Sequence, residues 1–225
     1  MKICVVNGSP RKNGATGKIL QEMVRQLEGK KDVEIKCFHL GDYRMNFCSG
    51  CMRCNYDGKC TIKNDGIQDA LEEISKADGI IIGSPTYASN ITGQLKTFID
   101  RGNFVMYQQF KGKYAFAVST YENAEGKKVI SVLNKLFLFS GAVLSGSYLS
   151  KVAFNGDPFS NEKKRGQLDR KTEKLYKKIK NKTQKPIIQL IIHSIVLNLG
   201  IKPFVFRNKD KTKGLLDRWK LNGTI

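Results

Sequence analysis

The chain reads as a doubly wound α/β protein with a five-stranded parallel sheet in the order 2-1-3-4-5. Three observations predict this. Residues 3–6 and 80–82 are short unbroken apolar runs, the pattern of parallel strands buried on both faces. Apolar residues at helical spacing alternate with such runs, and right-handed crossovers are then the economical topology. The strand-to-helix junctions at 8–17 and 83–90 are dense in Gly, Ser, Pro, Asn and Thr, the residues of tight loops.

The elements follow in order. After the first strand, Ile19, Leu20, Met23, Val24 and Leu27 mark one face of a helix. Val33, Ile35 and Cys37 alternate with Glu34, Lys36 and Phe38, as in a strand near the sheet edge. A cysteine-rich loop over 41–64 leads to a second helix carrying Ile67, Ala70, Leu71 and Ile74, with Asn64 or Asp65 as its N-cap. Residues 80–82 are the third strand, and Leu95, Phe98 and Ile99 carry the helix after the 83–90 loop. Residues 114–119 are the fourth strand. Val129, Val132, Leu133, Leu136 and Phe137 form a strongly apolar helix, and 142–149 supply the fifth strand. Past Lys151 the alternation stops. A basic helix covers about 161–182, Pro186 breaks it, an apolar helix runs to Gly200, 202–206 are extended, and a last turn holds Trp219. The chain thus divides into a sheet domain over 1–155 and a helical extension over 156–225, read as a docking or oligomerisation element. The apolar helix has to bury itself, by clamping its own domain or by contact with a second subunit, and dimer contact is preferred.

In an open parallel sheet the ligand sits at the carboxyl ends of the strands where the order reverses, here strands 1 and 3. That rule selects the 8–17 and 83–90 loops before any motif is used. The first is a strand, a tight loop and a helix N-terminus, which together make an anion seat. Ser9, Asn13 and Thr16 add hydroxyl and amide donors, and Arg11 a charged fork. A nucleoside-triphosphate loop requires G-x-x-x-x-G-K-[ST], which is absent, and Gly8, Gly14 and Gly17 do not fit G-x-G-x-x-G. A monophosphate held without metal suits the loop, although an ordinary strand-to-helix turn has the same composition. In the second loop Pro85 shapes the turn and Tyr87 offers an aromatic platform, unless it packs on the neighbouring helix. Phosphate on one loop and a flat ring over the other describe flavin mononucleotide (FMN).

With 225 residues, 40% apolar and 26% charged, the composition is that of a globular protein. No N-terminal signal is visible, and the apolar stretch at 187–199 is shorter than the roughly 20 residues of a membrane span. A cytoplasmic location is expected. The net charge of +19 is uneven, because 161–225 hold 18 basic and 5 acidic residues. A solvated helix face explains this tail; attraction to nucleic acid, an anionic membrane or an acidic protein is the alternative, and no nucleic-acid motif is present.

Cys48-Ser-Gly-Cys51-Met-Arg-Cys54-Asn-Tyr-Asp-Gly-Lys-Cys60 places four thiols in an otherwise polar segment. Thiolates select zinc or iron–sulfur clusters. The C-x₂-C-x₂-C start is the ferredoxin way of offering three sulfurs to one [4Fe–4S] cluster, with Cys60 the fourth. Zinc, which prefers two separated pairs, and a metal-free thiol loop are the other readings. Cys4 and Cys37 fall on strands as inert core thiols. Neither His39 nor His193 lies in a predicted site loop, and no side chain is assigned as catalytic.

The residues Asn7-Gly-Ser-Pro-Arg-Lys-Asn-Gly-Ala-Thr16, the cysteine spacing, Gly83-Ser-Pro-Thr-Tyr87 and Gln94-Leu-Lys-Thr-Phe-Ile-Asp-Arg101 resemble the NADPH-dependent FMN reductase family, nearest its iron–sulfur flavoprotein branch. The resemblance covers about residues 1–153. It implies a flavodoxin-like fold, non-covalent FMN, NAD(P)H as electron donor, and homodimers or homotetramers. By the same resemblance Ser9, Arg11, Gly14, Ala15 and Thr16 hold the phosphate. Pro85, Thr86, Tyr87, Ser89 and Asn90 hold the ring and ribityl chain, and Cys48, Cys51, Cys54 and Cys60 bind a [4Fe–4S] cluster. Electrons then pass to a small-molecule acceptor, such as a quinone, or to a protein. A non-catalytic electron carrier is the other reading. The basic tail is longer than the family pattern.

Overall fold

A computed structural model describes all 225 residues. Strand β1 (Lys2–Asn7) pairs in parallel with β2 (Glu34–His39) on one side and β3 (Gly79–Pro85) on the other. Strands β4 (Tyr114–Tyr121) and β5 (Val143–Lys151) complete one sheet in the order β2-β1-β3-β4-β5. This is the flavodoxin-like topology expected from the alternation of elements.

The unbroken apolar runs serve two cores. Ile3 and Val5 face helices α1 (Ala15–Glu28) and α7 (Glu162–Lys180), whereas Cys4 and Val6 face α3 (Ile67–Ser75), α4 (Gly93–Gly102) and α6 (Gly126–Phe139). The same division separates Ile81 from Ile80 and Ile82. Both sheet faces are covered, so neither set can be polar. Each fully buried Ile or Val side chain contributes about 1.5–3 kcal/mol. β2, at the edge, has no buried residue, and Cys37 on it is exposed rather than in the core. Cys4 is buried, and that burial raises its thiol pKa to about 11.

Four local expectations change. The cap position of α3 is Gly66, in the left-handed conformation at φ 73°, and Asp65, one residue earlier, accepts the Ile67 N–H at 3.4 Å while its carboxylate also pairs with Arg101. Helix α7 packs Leu168, Leu175, Tyr176 and Ile179 into the α1 core, so it is a layer of the sheet domain and the extension starts after it. Residues 202–206 are helical as α9 (Lys202–Arg207). Pro203 follows directly on the π-turn Val196–Ile201, whose wider hydrogen-bond spacing accommodates the N–H that proline lacks. α8 (Ile187–Ile195) therefore continues into α9 as one helix, Ile187–Arg207, of 21 residues, long and apolar enough to cross a membrane. Sequence alone, stopping at residue 199, understates it.

This helix and α10 (Lys213–Leu221) build a third core. Leu197, Ile201, Val205, Leu215 and Trp219 pack with Tyr107 of α5 (Phe104–Tyr107). Trp219 is fully buried, and its indole N–H donates to the Met106 carbonyl at 2.8 Å. The extension thus clamps its own domain through one face.

Candidate functional site

The 8–14 loop is fixed from below. Asn7 Oδ1 accepts the Ser9 N–H at 3.0 Å, and the Gly8 N–H donates to the Gly83 carbonyl at 2.8 Å, tying the exits of β1 and β3. Thr92 caps α4 and donates its hydroxyl to the Gly8 carbonyl. Gly17 permits the loop to close on the helix, since a side chain there would strike the Lys12 carbonyl carbon at 2.9 Å. The cap of α1 is Gly14, which offers no side-chain oxygen to the first-turn amides, and that turn holds no acidic residue. The result is a positive helix end without an internal acceptor.

In the second loop Ala88 and Ser89 adopt left-handed conformations at φ 46° and 62°. Tyr87 and Asn90 exchange backbone hydrogen bonds of 2.9 Å across them, a hairpin-like turn that stands Tyr87 at the rim, half exposed. The two loops border a cleft of about 640 Å³, within the roughly 300–1,000 Å³ range of small-molecule sites.

Of the ten residues expected to hold FMN, Arg11, Gly14, Ala15, Pro85, Thr86 and Tyr87 line this cleft. Ser9 and Thr16 lie behind it. The Ser9 hydroxyl accepts the Arg11 N–H and donates to the Arg11 carbonyl, both at 3.1 Å. The buried Thr16 hydroxyl meets that of Thr120 at 2.7 Å, joining α1 to the end of β4. Ser89 and Asn90 shape the turn and do not line the cleft. The Thr86 hydroxyl is buried and without a partner.

Sequence reasoning missed the rest of the lining. Thr120, Tyr121 and Glu122 come from the exit of β4, and residues 152–156 from that of β5. The switch-point rule, applied to all strand ends and not to two, would have found them. Arg11 reaches across to this wall, donating to Asn155 Oδ1 at 2.7 Å with its guanidinium 5.4 Å from the centre of the Phe154 ring. Glu122 is engaged there too, accepting the Phe154 N–H at 3.0 Å.

The cysteine segment curls through left-handed Gly50, Met52 and Gly58 and contains the short helix α2 (Arg53–Asp57). Cys48 and Cys51 are exposed, and Cys54 and Cys60 partly so. Burial pushes the Cys54 thiol pKa up, as do the other three thiols, so the four share one electrostatic neighbourhood. Their donor chemistry fits a thiolate-held cluster. Yet no three His, Cys, Asp or Glu side chains stand close enough together for a metal ion, so the expected metal site is not assembled. The segment is anchored elsewhere. Tyr107 donates its hydroxyl to the Cys54 carbonyl at 2.8 Å, and Asn103 donates to Cys54 Sγ at 3.6 Å.

Comparison with known proteins agrees with this architecture. An iron–sulfur flavoprotein of Clostridioides difficile (strain 630) is 38% identical over 226 residues, covering 100% of both chains. A crystal structure of an NADH:FMN oxidoreductase in its apo form superposes with a TM-score of 0.58 at 18% identity, over 77% of this chain and 87% of that one. An archaeal flavodoxin gives a TM-score of 0.52 at 17% identity, over 80% and 99%. At these identities the two solved structures speak for the fold alone. The model of the NADPH-dependent FMN reductase family matches residues 1–156, and the chain belongs to that family.

Proposed function

We propose that this chain is an FMN-dependent NAD(P)H oxidoreductase that delivers electrons to a small-molecule acceptor, such as a quinone, or to a protein. The observation that carries this reading is the cleft. One end offers the acid-free, uncapped N-terminus of α1 with Arg11 and Lys18, which suits a phosphate. The other offers Tyr87 and the unpartnered Thr86 hydroxyl, which suit a flat polar ring. Arg11, Gly14 and Ala15 would touch the phosphate, while Ser9 and Thr16 hold their backbone in place. Pro85, Thr86 and Tyr87 would border the ring, with Ser89 and Asn90 setting the turn that carries them.

When bound, FMN supplies acceptance of hydride from a nicotinamide and release of electrons to the acceptor. The protein's residues bind, orient and shield; none needs to act as acid or base. Cys48, Cys51, Cys54 and Cys60 are the donor set proposed for a [4Fe–4S] cluster, a reading supported by thiolate chemistry and by the name of the Clostridioides relative. An electron carrier that uses the same two cofactors without nicotinamide turnover is the second reading. The cytoplasm suits both.

The test is an absorption spectrum with iron and acid-labile sulfide assays on protein purified without oxygen, followed by steady-state oxidation of NADH and NADPH with a quinone. Flavin bands and turnover establish the oxidoreductase. Flavin bands without turnover favour the carrier. Absence of flavin overturns both.

A further inference from the structure

We propose that the outward face of the Ile187–Arg207 helix is a docking surface for an anionic lipid bilayer, on which the helix lies flat without crossing. The helix has two faces. Gln189, His193, Leu197, Ile201 and Val205, at steps of four, point at the protein. Gln189 accepts the Leu144 N–H at 3.0 Å, His193 meets Gln108 Oε1 at 2.7 Å, and the other three enter the Trp219 core. Ile187, Ile188, Ile191, Ile195 and Leu199 stand on the other side, and Ile187 and Leu199 are each about three-quarters exposed. Only 11% of the most apolar stretch is buried, although burying its side chains is worth ~1.5–3 kcal/mol each. An apolar strip of this length on a free surface marks a contact.

Charge selects the occupant. Between Glu173 and Asp210 the chain has nine Lys and Arg and no acidic residue. Lys182 precedes the helix, Arg207 ends it, and Lys209 and Lys211 follow, all exposed. Cations at both ends of an apolar strip match anionic headgroups around an acyl boundary. A second copy would bring two strongly basic tails together, which like-charge repulsion opposes. The inward hydrogen bonds and the buried Trp219 core rule against a span, because crossing a bilayer would strip Gln189 and His193 of their partners.

The test uses the flavin-loaded full chain, sedimented with phosphatidylcholine vesicles or with vesicles enriched in phosphatidylglycerol. We expect pelleting on the anionic vesicles, on the order of tenfold weaker on neutral ones and reduced by salt. The pair Ile188→Glu and Leu199→Glu should abolish pelleting while flavin absorbance and thermal midpoint stay unchanged. No pelleting, or equal pelleting on both vesicles, overturns the proposal. So does a concentration-dependent dimer that the same pair dissolves without any vesicle binding, which would assign the face to a second copy. Flavin absorbance reports on the proposed cofactor separately, so the two readings fail independently.

Discussion

Arg101 and Asp65 form an ion pair whose side chains are 0% and 4% exposed, and it fastens both ends of the cysteine segment to α4. Arg101 Nη2 donates to Asp65 Oδ1 at 3.2 Å and to the Ile62 carbonyl at 3.0 Å, and Nη1 donates to the Asn46 carbonyl at 3.3 Å. The four cysteines lie between those two carbonyls. Burial alone would raise the Asp65 pKa; the Arg101 hydrogen bond and charge, together with backbone hydrogen bonds from Ile67 and Asn46, outweigh it and hold the carboxylate below its ordinary value.

Replacing Arg101 with Ala strands a buried carboxylate and frees two loop carbonyls. Loss of one partner of a buried pair costs about 3–5 kcal/mol. Urea denaturation should read that loss, and the thiols of Cys48, Cys51, Cys54 and Cys60 should react faster with a disulfide reagent. Lys at this position keeps the charge but not the fork, so it should rescue part of the stability and little of the thiol protection. Unchanged thiol reactivity in the Ala variant would remove Arg101 from this role.

Arg11→Ala should weaken FMN binding to the apoprotein by about 10- to 150-fold, the equivalent of one charge-assisted hydrogen bond worth ~1.5–3 kcal/mol. Riboflavin, which lacks the phosphate, is the control. If Arg11 acts on phosphate, riboflavin affinity barely changes. If it acts by propping Phe154 and Asn155, both ligands weaken together. Fluorescence titration of the two flavins separates these outcomes.

Helix α10 meets the cysteine segment at two glycines. A side chain at Gly214 would come within 2.6 Å of the Tyr56 carbonyl oxygen and 2.7 Å of Gly58 Cα. Arg218 donates to the Gly58 carbonyl and stacks 4.4 Å from the Tyr107 ring centre. Gly214→Ala should therefore cost about 1–3 kcal/mol as overpacking and lift α10 from the segment. Increased quenching of Trp219 fluorescence by iodide would report it, and wild-type quenching would show that α10 stays seated despite the added methyl.

The sheet was legible because burial on both faces writes itself into β1 and β3 as runs with no polar residue. Loops 8–17 and 83–90 were legible because their position follows from strand order. What escaped depends on tertiary contacts. Thr120 is unremarkable in sequence until Thr16 lies 2.7 Å away, and Phe154 until Arg11 stacks on it. Residues 202–206 read as extended around Pro203, but the π-turn before them lets the helix run on through it. The role of the extension rests on Trp219, whose core joins the π-turn and α9 to α5, about a hundred residues earlier in the chain.

Acid should weaken the hold on the extension through His193. Gln108 fixes the geometry: its amide N–H₂ donates to the Val105 and Phe139 carbonyls at 2.6 and 3.0 Å, so Oε1 faces the imidazole and Nε2 carries the proton. Burial, then the charges of Lys185 and Lys111, lower the His193 pKa from 6.5 to about 4. Between those values the unfolded chain binds a proton that the folded chain does not, so stability falls as pH drops from 6.5 towards 4. The ring is only half buried, and solvent screening reduces the effect to on the order of 1 kcal/mol. Trp219 is the single tryptophan and sits in the core that this helix closes, so the urea midpoint read by its emission should fall in that window. His193→Gln keeps a donor for Gln108 and cannot titrate. Its midpoint should stay flat where that of the wild type falls, and a fall of equal size in both proteins would assign the effect to carboxylates elsewhere.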